Sequence, residues 1–397
     1  MKNAGERLKH RVGLFIYEFI QNQQASGFLI IGVALISMLL AHSPLRHQTA
    51  HFLHLPLGFQ FGSLSFSNTL THSVNDILMS LFFLMVGLEI KREFISGQLN
   101  DFKSAFLPVA AAAGGMIMPA VLYSLFNANS PTSSGWGIPM ATDIAFALAV
   151  MSFLGNRIPS YLKVFLVSLA VADDLGAILV IAVFYTRELQ LNFLLFATAV
   201  CVILGIFNYM RVRWIFLYFL AGIFLLYFIS KSGIHATLSG VILAAFIPYE
   251  QDSELNPSVE LAHDLQGLVH FLILPLFAFC NTFIRFNPEH LHISNPLAAG
   301  IFAGLIIGKP LGIFGFTWIL TRLKLASVPA GINKIHLLGV SVLGGIGFTM
   351  SIFISLLSFD DGMLIEEAKG AIILSSLVAA IAGLIILRTT SLASKNQ

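Results

Sequence analysis

The stretch Tyr161-Leu-Lys-Val-Phe-Leu-Val-Ser-Leu-Ala-Val-Ala-Asp-Asp-Leu-Gly-Ala-Ile-Leu-Val-Ile-Ala-Val-Phe-Tyr185 decides the class of this protein and poses its central question. As a helix rising ~1.5 Å per residue it is long enough to cross a hydrocarbon core of ~30 Å. It is apolar almost throughout, yet two adjacent carboxylates stand near its middle. A charged side chain at the centre of a bilayer costs roughly 2.5 to 3.5 kcal/mol on insertion scales, so Asp173 and Asp174 need a reason to be there.

Apolar runs of similar length recur from Ser26 to Leu387. Only 11% of the 397 residues are charged, against roughly 25% in a soluble protein, and 57% are hydrophobic. Mean hydropathy is +0.85. The chain therefore reads as one all-α polytopic transmembrane domain over residues 1–397, with the lipid bilayer as its surroundings. Closed β-barrels are excluded because their strands alternate in polarity. The polar breaks delimit twelve spans: 26–42, 74–90, 104–126, 136–155, 161–185, 191–210, 214–229, 233–248, 265–284, 297–319, 337–359 and 370–387. A net charge of +2 is too small for a nucleic-acid partner. Cys201 and Cys280 both fall in apolar runs and read as small buried hydrophobes.

Orientation follows from Lys and Arg. Alternating the connecting segments between the two sides places sixteen of the 22 basic residues on one side. Arg46, Arg187, Lys231, Arg285 and Lys369 fall on the other, and Lys309 is left in the middle of the tenth span. Both termini are then cytoplasmic, and a bacterial inner membrane is the expected location. Residues 1–25 read as a cytoplasmic amphipathic surface helix rather than a cleaved signal. The external loop 43–73 carries Leu57-Gly-Phe-Gln-Phe-Gly-Ser-Leu-Ser-Phe66, with the alternation and glycines of a short hairpin through which a second copy could pair as a homodimer. His47, His51 and His54 beside it have helical spacing that would suit a metal, or are ordinary loop histidines.

Four intramembrane charges stand out: Asp143, Asp173, Asp174 and Lys309. Neighbouring helix positions diverge by about 100°, so one of the paired aspartates can meet Lys309 while the other faces a water-filled path. Three carboxylates against one lysine leave an excess of negative charge, which a proton or a metal cation must neutralise. Hard oxygens replace water around a small cation such as Na⁺ or Li⁺, and the same oxygens bind H⁺. Occupancy by one excludes the other, as an exchanger requires.

Two spans are punctuated: span four by Gly135-Trp-Gly-Ile-Pro-Met-Ala-Thr-Asp-Ile-Ala-Phe146, and span eleven by Gly344-Gly-Ile-Gly-Phe-Thr-Met-Ser351. Both predict interrupted helices, each the middle of a three-span group of opposite orientation, spans 3–5 and 10–12. Inverted repeats with paired broken helices mark a midplane substrate site. Asp143 would balance positive half-helix ends and Lys309 negative ones, while Pro310 frees the carbonyl of Ile306. Glu89, Arg92 and Glu93, with Lys91, form a cluster at the cytoplasmic end of span two, and Asp264 and His235 lie close to span ends. His235, just inside span eight, reads as a hydrogen-bonded helix-start histidine or as an imidazole whose charge could change near physiological pH.

Ala172-Asp-Asp-Leu-Gly-Ala177, Thr142-Asp-Ile-Ala-Phe146, Gly308-Lys-Pro-Leu-Gly312 and Gly345-Ile-Gly-Phe-Thr-Met-Ser-Ile-Phe353 together resemble an NhaA-type sodium/proton antiporter. Val86-Gly-Leu-Glu-Ile-Lys-Arg-Glu93, Ser232-Gly-Ile-His-Ala-Thr237 and Leu274-Pro-Leu-Phe-Ala-Phe279 extend the likeness over nearly the whole chain. The resemblance implies twelve helices, crossed broken helices four and eleven, a cytoplasmic funnel, and electrogenic exchange of more protons than Na⁺ or Li⁺ in sodium and pH homeostasis. It makes Asp174 the main cation ligand and Asp173 the partner of Lys309, with Thr142 and Asp143 supporting the crossing. It also makes Glu89, Arg92, Glu93, His235, His263 and Asp264 candidates for the pH response. One region departs from the family pattern of a Glu-His pair followed by a second His three residues later: here stand Ala262, His263 and Gln266.

No cofactor is expected. Gly308-Lys309 is followed by Pro310, and position 303 is Ala where a phosphate-cradling loop needs Gly. An intramembrane aspartyl protease would pair Tyr-Asp with Gly-Leu-Gly-Asp, whereas Thr precedes Asp143 and the glycine follows the Asp173-Asp174 pair. A cation channel would not need an intramembrane lysine paired to its carboxylates. The chain is therefore read as a transporter and not an enzyme.

Overall fold

The structure, a computed structural model, describes residues 23–61, 64–97, 99–155, 158–186, 189–250, 256–285, 295–326 and 333–393. The amphipathic reading of residues 1–25 lies almost wholly outside them. Among the described residues nine helices are long and apolar enough to cross a membrane. They are Ala25–His42, Leu70–Ile95, Ala105–Asn127, Ser133–Ser152, Tyr161–Phe184, Leu191–Tyr209, Pro257–Asn281, Pro296–Arg322 and Gly362–Thr389. A tenth is gained if Lys334–Leu343 and Phe348–Ser358, bent by 46° at their junction, count as one span. The chain is a multi-pass helical membrane protein.

Two of the twelve predicted spans fall short of that length. The seventh is the 17-residue apolar helix Ile215–Lys231. The eighth keeps only nine helical residues, Leu238–Phe246. Gly233, at φ +90, turns the chain before it, and Ile247, the residue before Pro248, is extended and cannot continue the helix. The Lys91 ammonium donates to the carbonyls of Ala244 and Ala245 at 3.3 and 2.8 Å, placing a cation where the short helix has its negative end. A two-stranded antiparallel hairpin, Pro56–Phe61 with Leu64–Thr69, pairs Pro56 with Thr69 in the segment before span two.

Burial sorts the helices into periphery and centre. Leu191–Tyr209 fully buries only Ala197, Val200 and Leu204, and side chains such as Leu191, Leu195, Phe196 and Val202 are exposed, where apolar surface in contact with lipid carries no penalty. Phe348–Ser358 instead buries every residue from Phe348 to Ser355. Span three packs directly on the helix Lys309–Arg322. The contact is close because Gly114 meets Gly312: a Cβ on Gly312 would stand 2.0 Å from the Gly114 carbonyl oxygen. That approach sets Lys309 into the middle of the bundle. Immediately before it the helix widens into a π turn, Ala303–Gly308, which accommodates the N–H that Pro310 cannot supply.

Candidate functional site

The site is built around two breaks that meet. In span four a 3₁₀ segment, Ser133–Met140, gives way to extended backbone at Ala141 and Asp143 before the helix Ile144–Ser152 begins. In span eleven the stretch Gly344-Gly-Ile-Gly347 separates Lys334–Leu343 from Phe348–Ser358. Backbone polar groups freed by a break need partners when no water is near, and each break supplies the other's. The Asp143 N–H donates to Ile346 O at 2.7 Å, and the Thr142 hydroxyl donates to Gly344 O at 2.8 Å. The Ser351 hydroxyl reaches Ile138 O at 2.7 Å.

Asp143 closes the junction with its carboxylate. One oxygen accepts from Phe146 N at 2.9 Å, capping the second half of span four. The other accepts from Thr349 N at 3.1 Å and from the Thr349 hydroxyl, at the start of the second half of span eleven. One anion thus faces the positive N-terminal ends of two half-helices. Lys309 does the opposite. Its ammonium donates to the Met140 carbonyl, at the C-terminal end of the 3₁₀ segment, and to Asp173 Oδ2 at 2.6 Å. Lys309 is completely buried, and Asp173 nearly so.

The adjacent aspartates have different surroundings. Asp173 points at Lys309, and its Oδ1 is buried with no hydrogen-bond partner among the described residues. Asp174 instead lines a cavity of about 280 Å³. The cavity runs between span two, which contributes Glu89, Arg92 and Glu93, and span nine, which contributes Gln266 and His270. Thr142, Asp143 and Thr349 also border it. The remaining wall is apolar, with Phe82, Met85, Leu148 and Val171 among it.

The other sequence candidates lie elsewhere. His263 and Asp264 are a largely exposed pair 3.9 Å apart and do not border the cavity. His235 sits ahead of the short eighth helix, where the neighbouring Ala236 carbonyl accepts from Ser80 at 3.2 Å, and it too is outside the cavity lining. His47 and His51 lie on the helix Arg46–Leu53 with His54 at its end. Among the described residues no group of three His, Cys, Asp or Glu is placed to hold a metal ion. Three participants escaped the sequence reading: Thr349, the Met140 carbonyl and His270. Thr349 lay inside a quoted motif, but only the fold shows that its hydroxyl turns to Asp143. A backbone carbonyl leaves no mark in sequence. His270 had a findable signal, one helical turn after Gln266 on the same helix.

Comparison with known proteins points the same way as the geometry. The family model described as Na+/H+ antiporter 1 matches residues 17–387. The Na(+)/H(+) antiporter NhaA 2 of Flavobacterium johnsoniae is 47% identical over 371 residues, 93% of this chain and 91% of that protein. The Na(+)/H(+) antiporter NhaA of Yersinia enterocolitica is 46% identical over 385 residues, 96% of this chain and 98% of the relative. That of Cytophaga hutchinsonii is 45% identical over 373 residues, 94% of each chain.

Proposed function

The chain belongs to the Na+/H+ antiporter 1 family, and on that premise we propose that it exchanges cytoplasmic Na⁺ or Li⁺ for external H⁺ across a bacterial inner membrane. The observation that carries the reading is the separation of two neighbouring carboxylates: Asp174 borders the cavity while Asp173 is held by Lys309. Na⁺ enters past Glu93, Arg92 and Glu89 and meets Asp174, whose carboxylate supplies a charged oxygen. Water and neutral protein oxygens complete the shell of a hard cation. A proton on Asp174 must leave before the cation can bind, so the two ions compete for one carboxylate.

Asp173 and Lys309 form the second element of the cycle. The unpartnered Oδ1 of Asp173 is an open acceptor for a proton or a cation once the ion pair loosens. Release of Lys309 frees an ammonium that can lose its proton, which is how more than one H⁺ would move per Na⁺ and the exchange become electrogenic. Asp143 and Thr142 hold the junction on which both aspartates depend. We place twelve crossings with both termini cytoplasmic, spans 3–5 and 10–12 as inverted repeats, and spans four and eleven crossing at the midplane. The meeting of the two breaks supports this arrangement, and alternating access then occurs around a fixed site. The hairpin of the external loop remains the surface we assign to a homodimer.

Everted vesicles holding the protein and a pH-sensitive dye test the reading. Na⁺ and Li⁺ should dissipate a preformed proton gradient at concentrations where K⁺ does not, because a tight carboxylate site favours small hard cations. Equal activity with K⁺ would refute it.

A further inference from the structure

A second buried lysine lies away from the aspartates. Lys369, on the helix Gly362–Ala393, is buried (9% exposed), and among the described residues it makes no ion pair. Its ammonium donates to Asn281 Oδ1 at 3.3 Å. The Asn281 amide donates to Asn75 Oδ1 at 2.7 Å and to the Phe277 carbonyl at 2.9 Å, and Asn75 returns a weak bond at 3.5 Å. Three helices, spans two, nine and twelve, are therefore joined by side chains alone. An ammonium this deeply buried, hydrogen-bonded to a neutral amide and with the Glu366 carboxylate acting on it only through space, is a costly arrangement that calls for a purpose.

Its position along the helices supplies one. Span two lines the cavity from Phe82 to Glu93, and Asn75 lies seven residues before Phe82, roughly 10 Å beyond the inner end of the cavity. Span nine lines it with Gln266, His270 and Leu274, and Asn281 lies the same distance past Leu274. On both helices the amide stands where the open path stops. Asn75 is itself within a π turn, Val74–Leu78, a local widening that allows a helix to shift. Span twelve is also tied to the site, because Ser376 Oγ accepts from Phe348 N at 3.1 Å at the break of span eleven.

We propose that Lys369, Asn281 and Asn75 form the seal that closes the transport path on the side opposite Glu89 and Glu93, with Lys369 the positioning residue that holds the amides together. The inference rests on the exchanger reading above, since alternating access needs a closed far side that can open. Side-chain hydrogen bonds suit that task, because they part without unwinding a helix. The Lys369 ammonium, while protonated, also opposes leakage of Na⁺ through the seal when the cavity is open to the other side.

The protein carries its own reporter. Cys280 is buried, 8% exposed, and lies beside Lys369 and Thr71. With Cys201→Ser as background it is the single thiol. The experiment applies two membrane-impermeant thiol reagents, one cationic and one anionic, from the face that carries the hairpin. Lys369→Met should raise the labelling rate of Cys280 at least tenfold with both reagents. A mere change of local charge would move the two rates in opposite directions, and that result, or unchanged rates, would overturn the proposal. Asn281→Asp supplies the complementary test, since it turns the amide contact into an ion pair. It should lower the maximal exchange rate severalfold with half-saturation by Na⁺ unchanged, and a maximal rate equal to wild type would also count against the seal. Labelling needs no turnover, so it reads the seal even if the unmodified protein failed to exchange Na⁺.

Discussion

Asp173 and Asp174 are neighbours in sequence with separate surroundings, Lys309 for one and the cavity for the other, because a helix turns by about 100° between them. Asp174→Asn should abolish Na⁺ binding and exchange together, as the only carboxylate of the pair that borders the cavity loses both its charge and its proton. Asp173→Asn should leave Lys309 buried without a counter-charge. Breaking one partner of a buried pair costs about 3 to 5 kcal/mol, so the variant should melt well below wild type while keeping residual Na⁺ binding. Titration calorimetry with a thermal melt distinguishes the two, and identical loss of binding in both would defeat the division of labour. Lys309→Ala removes the ammonium between Asp173 and the Met140 carbonyl. The site then holds protons more tightly, so Na⁺ displaces them only at more alkaline pH. The dye assay run as a pH series should show that shift.

The elements place these residues through contacts with little tolerance. Gly312→Ala would put a methyl 2.0 Å from the Gly114 carbonyl and push the Lys309 helix off span three. Gly315, on the same helix, has nothing within 4 Å of a new Cβ. Gly315→Ala should therefore be tolerated, even gaining up to about 1 kcal/mol of helix propensity, while Gly312→Ala loses folded protein and exchange. Thermal stability in detergent, beside vesicle exchange, checks the contrast. Much of this level was legible in the sequence. The glycines of 344–347 and Pro139 announced the breaks, and Pro310 announced an irregular turn at Lys309. Their joining was not legible, because it runs through the Gly344, Ile346 and Met140 carbonyls, which any residue would offer. The eighth span also read longer than it is: apolar composition extends to Pro248, but Gly233 and Pro248 confine the helix to Leu238–Phe246.

At the scale of the whole molecule, the cavity decides which ionisable groups can couple to the aspartates. Facing it are Glu89, Arg92 and Glu93 from span two, Asp143 from span four, Asp174 from span five and His270 from span nine. Ala262, His263 and Asp264 do not border it, whereas Gln266 does. The departure from the family pattern thus matters at Gln266 rather than at Ala262, and His270 supplies an imidazole one turn deeper. Gln266→His should sharpen the pH profile of exchange, since it places an imidazole on the same wall as Glu89, Glu93 and Asp174, where its titration couples to theirs. Ala262→Glu alone should change neither midpoint nor slope. If Gln266→His kept the wild-type profile, the pH response would originate in direct competition between H⁺ and Na⁺ at Asp174, with the span-nine residues serving only as walls of the path.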